Sequence, residues 1–442
     1  MLKFIKILIG FIIMALLTVA ITACSDSSNE AEPTKGTKSD TNSPQKPTML
    51  NTPQNSPDKE NEVADNEASP DKIPQDDPIN TAISKMTLDE KIGQLVIAGI
   101  DGTTIDSNAR SLIDDYHVGG IILFKDNIQN AAQALELINS IKETNLVNKL
   151  PIFVSVDEEG GRVTRMPDEL KKFPSSQAIG KKNNEETSYK IGAAIGKELK
   201  QFGFNLDFAP VLDIFSNPKN KVIGDRAFGK EPELVKKLGV STMKGLQDEN
   251  IISVVKHFPG HGDTLVDSHK GLPVVNYDLT RLNKFELIPF REAIKNNADA
   301  VMAAHILLPK IDPLYPASLS KNIITNILRE EMGFDGVVMT DDLTMGAIEK
   351  NYKIENAAVK SINAGCDETL VCHDYKKVAM VIGALKKAVE EGTISTERLD
   401  QSVYRIIRLK NKYNLKDEKL GNVDVKKINE DIKEVLTQGK LN

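Results

Sequence analysis

The sequence predicts a single α/β domain folded as a (β/α)8 barrel. From about residue 79 to residue 415, short apolar runs alternate with amphipathic helical patterns, and no second linker interrupts them. Eight of the runs have the length of buried strands, and eight parallel strands close this kind of barrel. A doubly wound open sheet shows the same alternation and is the alternative fold.

The bounds of each predicted strand or helix are the positions where its apolar or amphipathic pattern begins and ends. The predicted strands are Leu95–Ala98, Gly120–Phe124, Ile152–Val156, Asn205–Phe208, Ile252–Lys256, Ala300–Ala304, Gly336–Met339 and Glu368–Cys372. The predicted helices include Ala131–Thr144, Glu186–Phe202, Glu233–Glu249, Leu279–Asn296, Lys321–Glu331 and Asp374–Glu391. Thr87-Leu88-Asp89-Glu90 is a capping box for the first helix, and residues 416–442 predict a polar tail or a further helix.

The N-terminal residues differ from the rest and are expected to lie outside the fold. Residues 1–23 contain early lysines, an apolar run and the ending Ile21-Thr22-Ala23 before Cys24, which resembles a bacterial lipoprotein signal with Cys24 as the lipidated residue. A transmembrane anchor is the alternative, but the run is shorter than the roughly 20 residues that a spanning helix needs. Residues 24–78 hold too few apolar side chains for a core and predict a disordered linker. We therefore expect an extracytoplasmic protein, anchored to the cell membrane by lipid alone.

The charge and the cysteines of the chain indicate which partners and which cysteine state to expect. The formal net charge is −7, much of the excess acid lies in the linker, and no basic stripe is present, so no nucleic-acid partner is expected. We expect a monomer. Cys366 and Cys372 lie in or beside an apolar segment, which favours buried free thiols over a disulfide.

The most informative segment begins where the fifth predicted strand ends. It reads Lys256-His257-Phe258-Pro259-Gly260-His261-Gly262-Asp263-Thr264, continues to Asp267-Ser268-His269, and holds three of the six histidines. Lys256 and His257 fall at the strand end, which is where (β/α)8 barrels carry their active sites. Asp267 and His269 are two apart in an extended segment and can point to the same side, so they predict an oriented acid/base pair.

Carboxylates follow other predicted strands. After Thr340, one of Asp341 and Asp342 can cap the next turn while the other faces the barrel axis, and we expect Asp341 to be the reactive one. The segment from Asp157 to Arg165 adds carboxylates and arginines, which can bind the hydroxyls of an oxygen-rich ligand. For Arg162 and Glu159 we favour a salt-bridged loop over ligand binding, and for Arg226 surface ion pairing is the alternative. His305 either lines the pocket or is a core histidine.

Together these motifs resemble glycoside hydrolase family 3, and within it the β-N-acetylglucosaminidase branch. The resemblance runs from Met86-Thr87-Leu88-Asp89-Glu90 through the histidine-rich segment to Thr340-Asp341-Asp342-Leu343. It implies a retaining exo-hydrolase that removes terminal β-linked N-acetylglucosamine from small glycans or muropeptides derived from peptidoglycan. Asp341 would be the nucleophile, His269 the general acid/base and Asp267 its hydrogen-bonded partner. The resemblance also implies sugar contacts from Asp157, Arg165, Arg226, Lys256 and His257.

Other functions remain open at this point. The same scaffold could serve a β-glucosidase, a β-xylosidase or a phosphorylase in which phosphate replaces water, and an inactive sugar-binding lipoprotein is also compatible. Zinc could be held by His257, His261, Asp267 and His269, but their spacing matches no strong metal motif, so we expect no metal and no other cofactor. The chain stops near residue 442 without the second α/β domain of many family members, so the catalytic set should come from the barrel alone. Tryptophan is absent, which favours a small pocket that recognises one ring by hydrogen bonds.

Overall fold

Eight parallel strands close into a barrel in the computed structural model, which describes residues 77–441. The strands pair in chain order, and the last returns to the first, so Ile97 lies between Gly120 and Leu370. The strands are β1 (Val96–Gly99), β2 (Gly120–Leu123), β3 (Phe153–Val156), β4 (Leu206–Asp207), β5 (Ile252–Phe258), β6 (Ala300–Ala303), β7 (Val337–Asp342) and β8 (Glu368–Val371). The predicted (β/α)8 barrel is confirmed, and the open sheet is excluded.

Helices surround the barrel; two precede the first strand and the others follow strands. They are α1 (Pro78–Ser84), α2 (Leu88–Gly93), α3 (Ser107–Asp114), α4 (Ala131–Asn145), α5 (Ser176–Lys182), α6 (Glu185–Phe202), α7 (Pro232–Asp248), α8 (Leu279–Lys284), α9 (Ile288–Lys295), α10 (Gly346–Glu349), α11 (Ile354–Ala364), α12 (Tyr375–Glu390), α13 (Thr396–Lys412) and α14 (Val425–Gln438). A π-helix, Asn322–Glu331, lies between β6 and β7. The capping box predicted at Thr87 is confirmed, with reciprocal hydrogen bonds to Glu90.

One predicted helix is wrong. The segment Leu279–Asn296 forms two helices, α8 and α9, which are separated at Phe285–Leu287. Pro289 stands in the first turn of α9, where its missing N–H costs nothing. In a continuous helix the same proline would remove a hydrogen bond and crowd the carbonyl of Phe285, so the helix has to restart.

The barrel strands are buried along almost their whole length. In a parallel barrel one face of each strand packs against the helices and the other fills the barrel interior, so continuous apolar runs are expected. Among the described strand residues, only Asp341 and Asp342 at the end of β7 are not fully buried. The C-terminal mouth of the barrel is thus the place where polar side chains can meet a ligand.

The described residues include the C-terminal segment of the chain but not the predicted signal. The predicted signal, the lipidated Cys24 and most of the linker fall outside the described residues. At the other end, α14 begins after the capping residue Asp424, buries Ile428 and Ile432, and packs near α6. Within the described part of the chain, no helix combines the length and the apolar character that a membrane crossing requires.

Candidate active site

A cavity of about 320 Å³ opens at the C-terminal mouth of the barrel. Every predicted catalytic or sugar-binding residue except Asp267 lines it, and Asp267 contacts one that does. The predicted residues on its wall are Asp157, Arg165, Arg226, Lys256, His257, His269 and Asp341. They come from the ends of several strands and from the loops that follow them, which the closed barrel brings to one place.

One side of the cavity is built on the buried Lys256 at the end of β5. Its Nζ donates to Asp157 Oδ1 at 2.5 Å and to Glu159 Oε1 at 2.7 Å. Burial alone would lower the pKa of Lys256, but the two carboxylates raise it above its ordinary value. Lys256 therefore stays charged and fixes the Asp157 carboxylate, whose other oxygen lies 3.7 Å from Arg165 Nη2.

Glu159 serves as a shared anchor for two cations. Arg226 donates to both of its oxygens, at 2.8 and 2.7 Å, while Lys256 shares one of them. Burial would raise the pKa of the Glu159 carboxyl, but the adjacent Arg226 and Lys256 hold it far below its ordinary value. Glu159 thus orients Arg226 and Lys256, two of the predicted sugar contacts. Glu159 itself forms ion pairs, which is the interpretation that the sequence favoured for it.

Asp213 is the important residue that sequence reasoning missed. It is fully buried after β4, accepts from His257 Nδ1 at 2.6 Å and accepts from the backbone N–H of His261 at 2.6 Å. Burial would raise the pKa of Asp213, but these histidines keep it below its ordinary value. Because Nδ1 of His257 donates to Asp213, its Nε2 is left to accept from Arg226 Nη2 at 3.3 Å. An aspartate inside the apolar run Ala209–Ile214 was the signal that could have revealed it.

The two aspartates that end β7 have different partners. Asp342 accepts from the backbone N–H groups of Thr344 and Cys372, so it caps the turn that follows the strand. Asp341 faces the cavity and accepts from the Asp342 N–H at 2.9 Å. Burial would raise the pKa of Asp341, but His305, His257 and this N–H hold it below its ordinary value. Asp341 is therefore an ionised carboxylate that is open to a ligand.

The predicted acid/base pair lies on the loop between β5 and α8. Asp267 Oδ1 accepts from the backbone N–H of His269 and lies 3.0 Å from its Nδ1. Burial would raise the pKa of Asp267, but these contacts with His269 hold it below its ordinary value. The His269 side chain is 69 % exposed and also lines the cavity that holds Asp341. Because Nδ1 is engaged by Asp267, Nε2 is the ring nitrogen left to contact a ligand.

Two further histidines have structural partners. His261 is buried, with Nδ1 2.7 Å from Thr264 Oγ1 and Nε2 3.2 Å from Ser268 Oγ. Burial lowers its pKa to about 4, so it stays neutral. His305 is fully buried between Ser318 Oγ and the carbonyl of Asp342, so it is a core histidine that supports the end of β7.

The zinc alternative is not supported by the side-chain arrangement. Across residues 77–441, no group of three or more His, Cys, Asp or Glu side chains is placed to hold a metal ion. His257 and His261 are instead engaged by Asp213 and Thr264. Cys366 and Cys372 are both free and buried, as expected from their apolar surroundings.

This fold and this site define a class of protein. A (β/α)8 barrel whose mouth joins an ionised carboxylate, an aspartate–histidine pair and several fixed polar side chains is an arrangement that a glycoside hydrolase can use. The sequence profile described as "Glycosyl hydrolase family 3 N terminal domain" matches residues 87–409. The chain belongs to this family. It is thus a glycoside hydrolase, and its substrate is a glycan.

Relatives and solved structures agree with this assignment. A protein named beta-hexosaminidase A from Pseudoalteromonas piscicida is 38% identical over 334 residues, which span 70% of this chain but 56% of the relative. A beta-hexosaminidase from Nitrosomonas eutropha is 35% identical over 72% of this chain and 92% of its own length. The structure of a family 3 beta-N-acetylglucosaminidase from Paenibacillus sp. matches with a TM-score of 0.76 and 41% identity, covering 80% of this chain and 69% of that one.

Proposed function

We propose that this protein is a retaining exo-β-N-acetylglucosaminidase that releases terminal β-linked N-acetylglucosamine from glycans derived from peptidoglycan. The observation that carries the proposal is the meeting of Asp341 and the Asp267–His269 pair on one small cavity. The names of the relatives supply the sugar, because two of them are called beta-hexosaminidase and one solved neighbour is called a beta-N-acetylglucosaminidase.

The chemistry uses two groups in two steps. Asp341 attacks the anomeric carbon while protonated His269 gives its proton to the glycosidic oxygen, so the C–O bond breaks and a glycosyl-aspartate forms. Neutral His269 then removes a proton from water, which attacks the anomeric carbon and releases the sugar and the Asp341 carboxylate. Asp267 holds the Nδ1 proton of His269, which keeps Nε2 available in both steps.

The size of the cavity and its polar wall favour recognition of a single ring. Its volume of about 320 Å³ lies at the lower end of the roughly 300–1,000 Å³ of small-molecule pockets. Asp157 is fixed by Lys256 and can accept from vicinal hydroxyls, while His257, Arg226 and Arg165 offer further polar contacts. Arg165 lines the cavity beside Asp157, with Nη2 3.7 Å from Asp157 Oδ2. A pocket of this kind removes end residues rather than cutting within a chain.

We further propose where the enzyme acts. If Cys24 is lipidated, the catalytic barrel is held outside the cytoplasm at the membrane surface by the linker, close to cell-wall fragments. We propose that it acts there as a monomer on small glycans or muropeptides. No metal or other cofactor is required by this chemistry.

The test is hydrolysis of the nitrophenyl β-glycoside of N-acetylglucosamine by the full chain in detergent. Asp341→Ala should reduce kcat/KM to background, and His269→Ala should reduce it by roughly 10²-fold or more, since general acid–base groups contribute about that much. Asp115→Ala is the matched control, because this exposed carboxylate accepts a hydrogen bond from Ser111 on α3 and does not line the cavity. An inactive wild type, or full activity in Asp341→Ala, would overturn the proposal. Product analysis with added phosphate separates hydrolysis from phosphorolysis.

A further inference from the structure

The loop that carries His269 rests on the chain segment that follows β7. We call this segment, Gly346–Lys350, the docking segment. A Cβ atom added at Gly346 would lie 2.6 Å from the carbonyl oxygen of His269 and 3.2 Å from the carbonyl carbon of Lys270. These are backbone atoms, so they cannot turn aside as a flexible side chain would. The close approach therefore requires glycine at this position.

Two hydrogen bonds hold the loop on either side of this contact. The backbone N–H of Ala347 donates to the carbonyl of Ser268 at 2.9 Å. The ammonium of Lys350 donates to the carbonyl of Lys270 at 2.6 Å. The residue before His269 and the residue after it are thus both bonded to the docking segment.

The docking segment is itself tied to the nucleophile. Gly346 stands only five positions after Asp341 in the chain. Between them, Asp342 accepts from the N–H and hydroxyl of Thr344 and from the N–H of Cys372 beyond β8, which fixes the turn. The loop with the acid/base and the strand with the nucleophile therefore share one rigid support.

We propose that Gly346 is a positioning residue, whose missing side chain lets the His269 loop dock at the distance from Asp341 that proton transfer to the glycosidic oxygen needs. The inference rests on the proposed function and adds a residue that sets the distance between its proton donor and its nucleophile. In a retaining glycosidase the nucleophile and the proton donor must flank one bond, and a misplacement on the order of 1 Å can cost 10²-fold in rate. A side chain at Gly346 pushes the His269 backbone away while it leaves the Asp341 strand in place.

The experiment compares Gly346→Ala with Gly383→Ala in the full chain. Gly383 is the matched control, because it lies within α12 and a Cβ there would meet no other described residue within 4 Å beyond the local backbone of its own helix. Each variant is assayed on the phenyl and on the dinitrophenyl β-glycoside of N-acetylglucosamine. Phenol is a poor leaving group that needs a proton donor, whereas dinitrophenolate departs without one, so the ratio of the two kcat/KM values reports on the acid.

For Gly346→Ala we expect kcat/KM to fall by roughly 10²-fold on the phenyl glycoside and by less than about 3-fold on the dinitrophenyl glycoside. Azide should restore kcat on the latter, because it attacks the glycosyl-aspartate without a base. Gly383→Ala should match wild type on both. Equal losses on both substrates, or no loss, would overturn the inference, since blocked binding or a shifted Asp341 affects both alike.

A second variant keeps the test valid if Gly346→Ala does not fold. Lys350 is exposed, so Lys350→Met should fold, and it removes one of the two bonds to the loop. It should shift the same ratio in the same direction by a few-fold, and an unchanged ratio counts against the docking role. A wild type that cleaves neither glycoside would instead show that the proposed function is wrong.

Discussion

Glu158 should make the stability of this protein fall as the pH rises. Its side chain is buried beside Asp157, and its Oε2 accepts from the backbone N–H of Arg165 at 3.0 Å. Glu198 and Asp207 lie near it, both buried, and each has one oxygen without a partner among the described residues. Burial raises the pKa of Glu158 to about 7, despite hydrogen bonds from Thr164, Arg165 and Met166, and it raises the pKa values of the two neighbours as well.

The direction and the size of this change in the free energy of unfolding follow from proton linkage. Below a pH of about 4.5, the ordinary pKa of this group, Glu158 is protonated in the folded and the unfolded chain, and the pH has no effect through it. Between about 4.5 and 7 the unfolded chain loses this proton and the folded chain keeps it, so the free energy of unfolding decreases. Above about 7 the loss is complete and amounts to about 3 kcal/mol, at 1.36 kcal/mol for each pKa unit.

Glu158→Gln should remove the part of the pH dependence of stability that comes from this residue. Glutamine resembles the protonated acid in shape and can still accept from the Arg165 N–H. The measurement is urea unfolding at about pH 4.5 and at about pH 8. Between these pH values, the free energy of unfolding of the wild type should fall by about 3 kcal/mol more than that of the variant. Glu136→Gln, at an exposed position on α4, is the control and should follow the wild type. Equal pH dependence in wild type and Glu158→Gln would refute the reasoning.

Two further predictions concern the site itself. Asp213→Asn places an amide N–H against His257 Nδ1, which reverses the tautomer and turns an Nε2–H towards Arg226. We expect kcat/KM to fall roughly 10-fold to 100-fold, mainly through KM, in line with about 1–3 kcal/mol for an unsatisfied buried group, and unchanged steady-state kinetics would contradict this. Dialysis against a chelator should leave activity intact, because the described residues offer no metal-binding group. Loss of activity that zinc restores would show the opposite.

Much of the fold could be predicted because burial leaves a local pattern. The strands of this barrel are covered on both faces, so each appears in the sequence as a short apolar run bounded by polar residues. β5 runs to Phe258, beyond the predicted end at Lys256, because Phe258 pairs with Ala303 of the neighbouring strand. A polar Lys-His pair inside a strand cannot be recognised locally, since only the pairing across the sheet keeps it extended.

The candidate site was predictable to the extent that its residues stand at strand ends. Asp341, Lys256 and His257 directly follow or end apolar runs, and the barrel then brings them together. Asp213 was missed because its partner His257 lies 44 positions further along the chain. Glu198, a buried residue outside the cavity wall, was missed because it stands on the amphipathic helix α6, where a glutamate is normally exposed, and only the fold shows that it is buried.

The distribution of charge around the cavity gives a physical reason why Asp341 should be the nucleophile. Asp157 and Glu159 are paired with Lys256, and Arg226 adds a second cation to Glu159. Asp341 forms no ion pair with any lysine or arginine of the described chain, although its pKa is held below the ordinary value. No lysine or arginine of the described residues therefore offsets its negative charge before substrate binds. Positive charge develops at the anomeric carbon as the glycosidic bond breaks, and a fixed, unpaired carboxylate stabilises that state more than the neutral ground state.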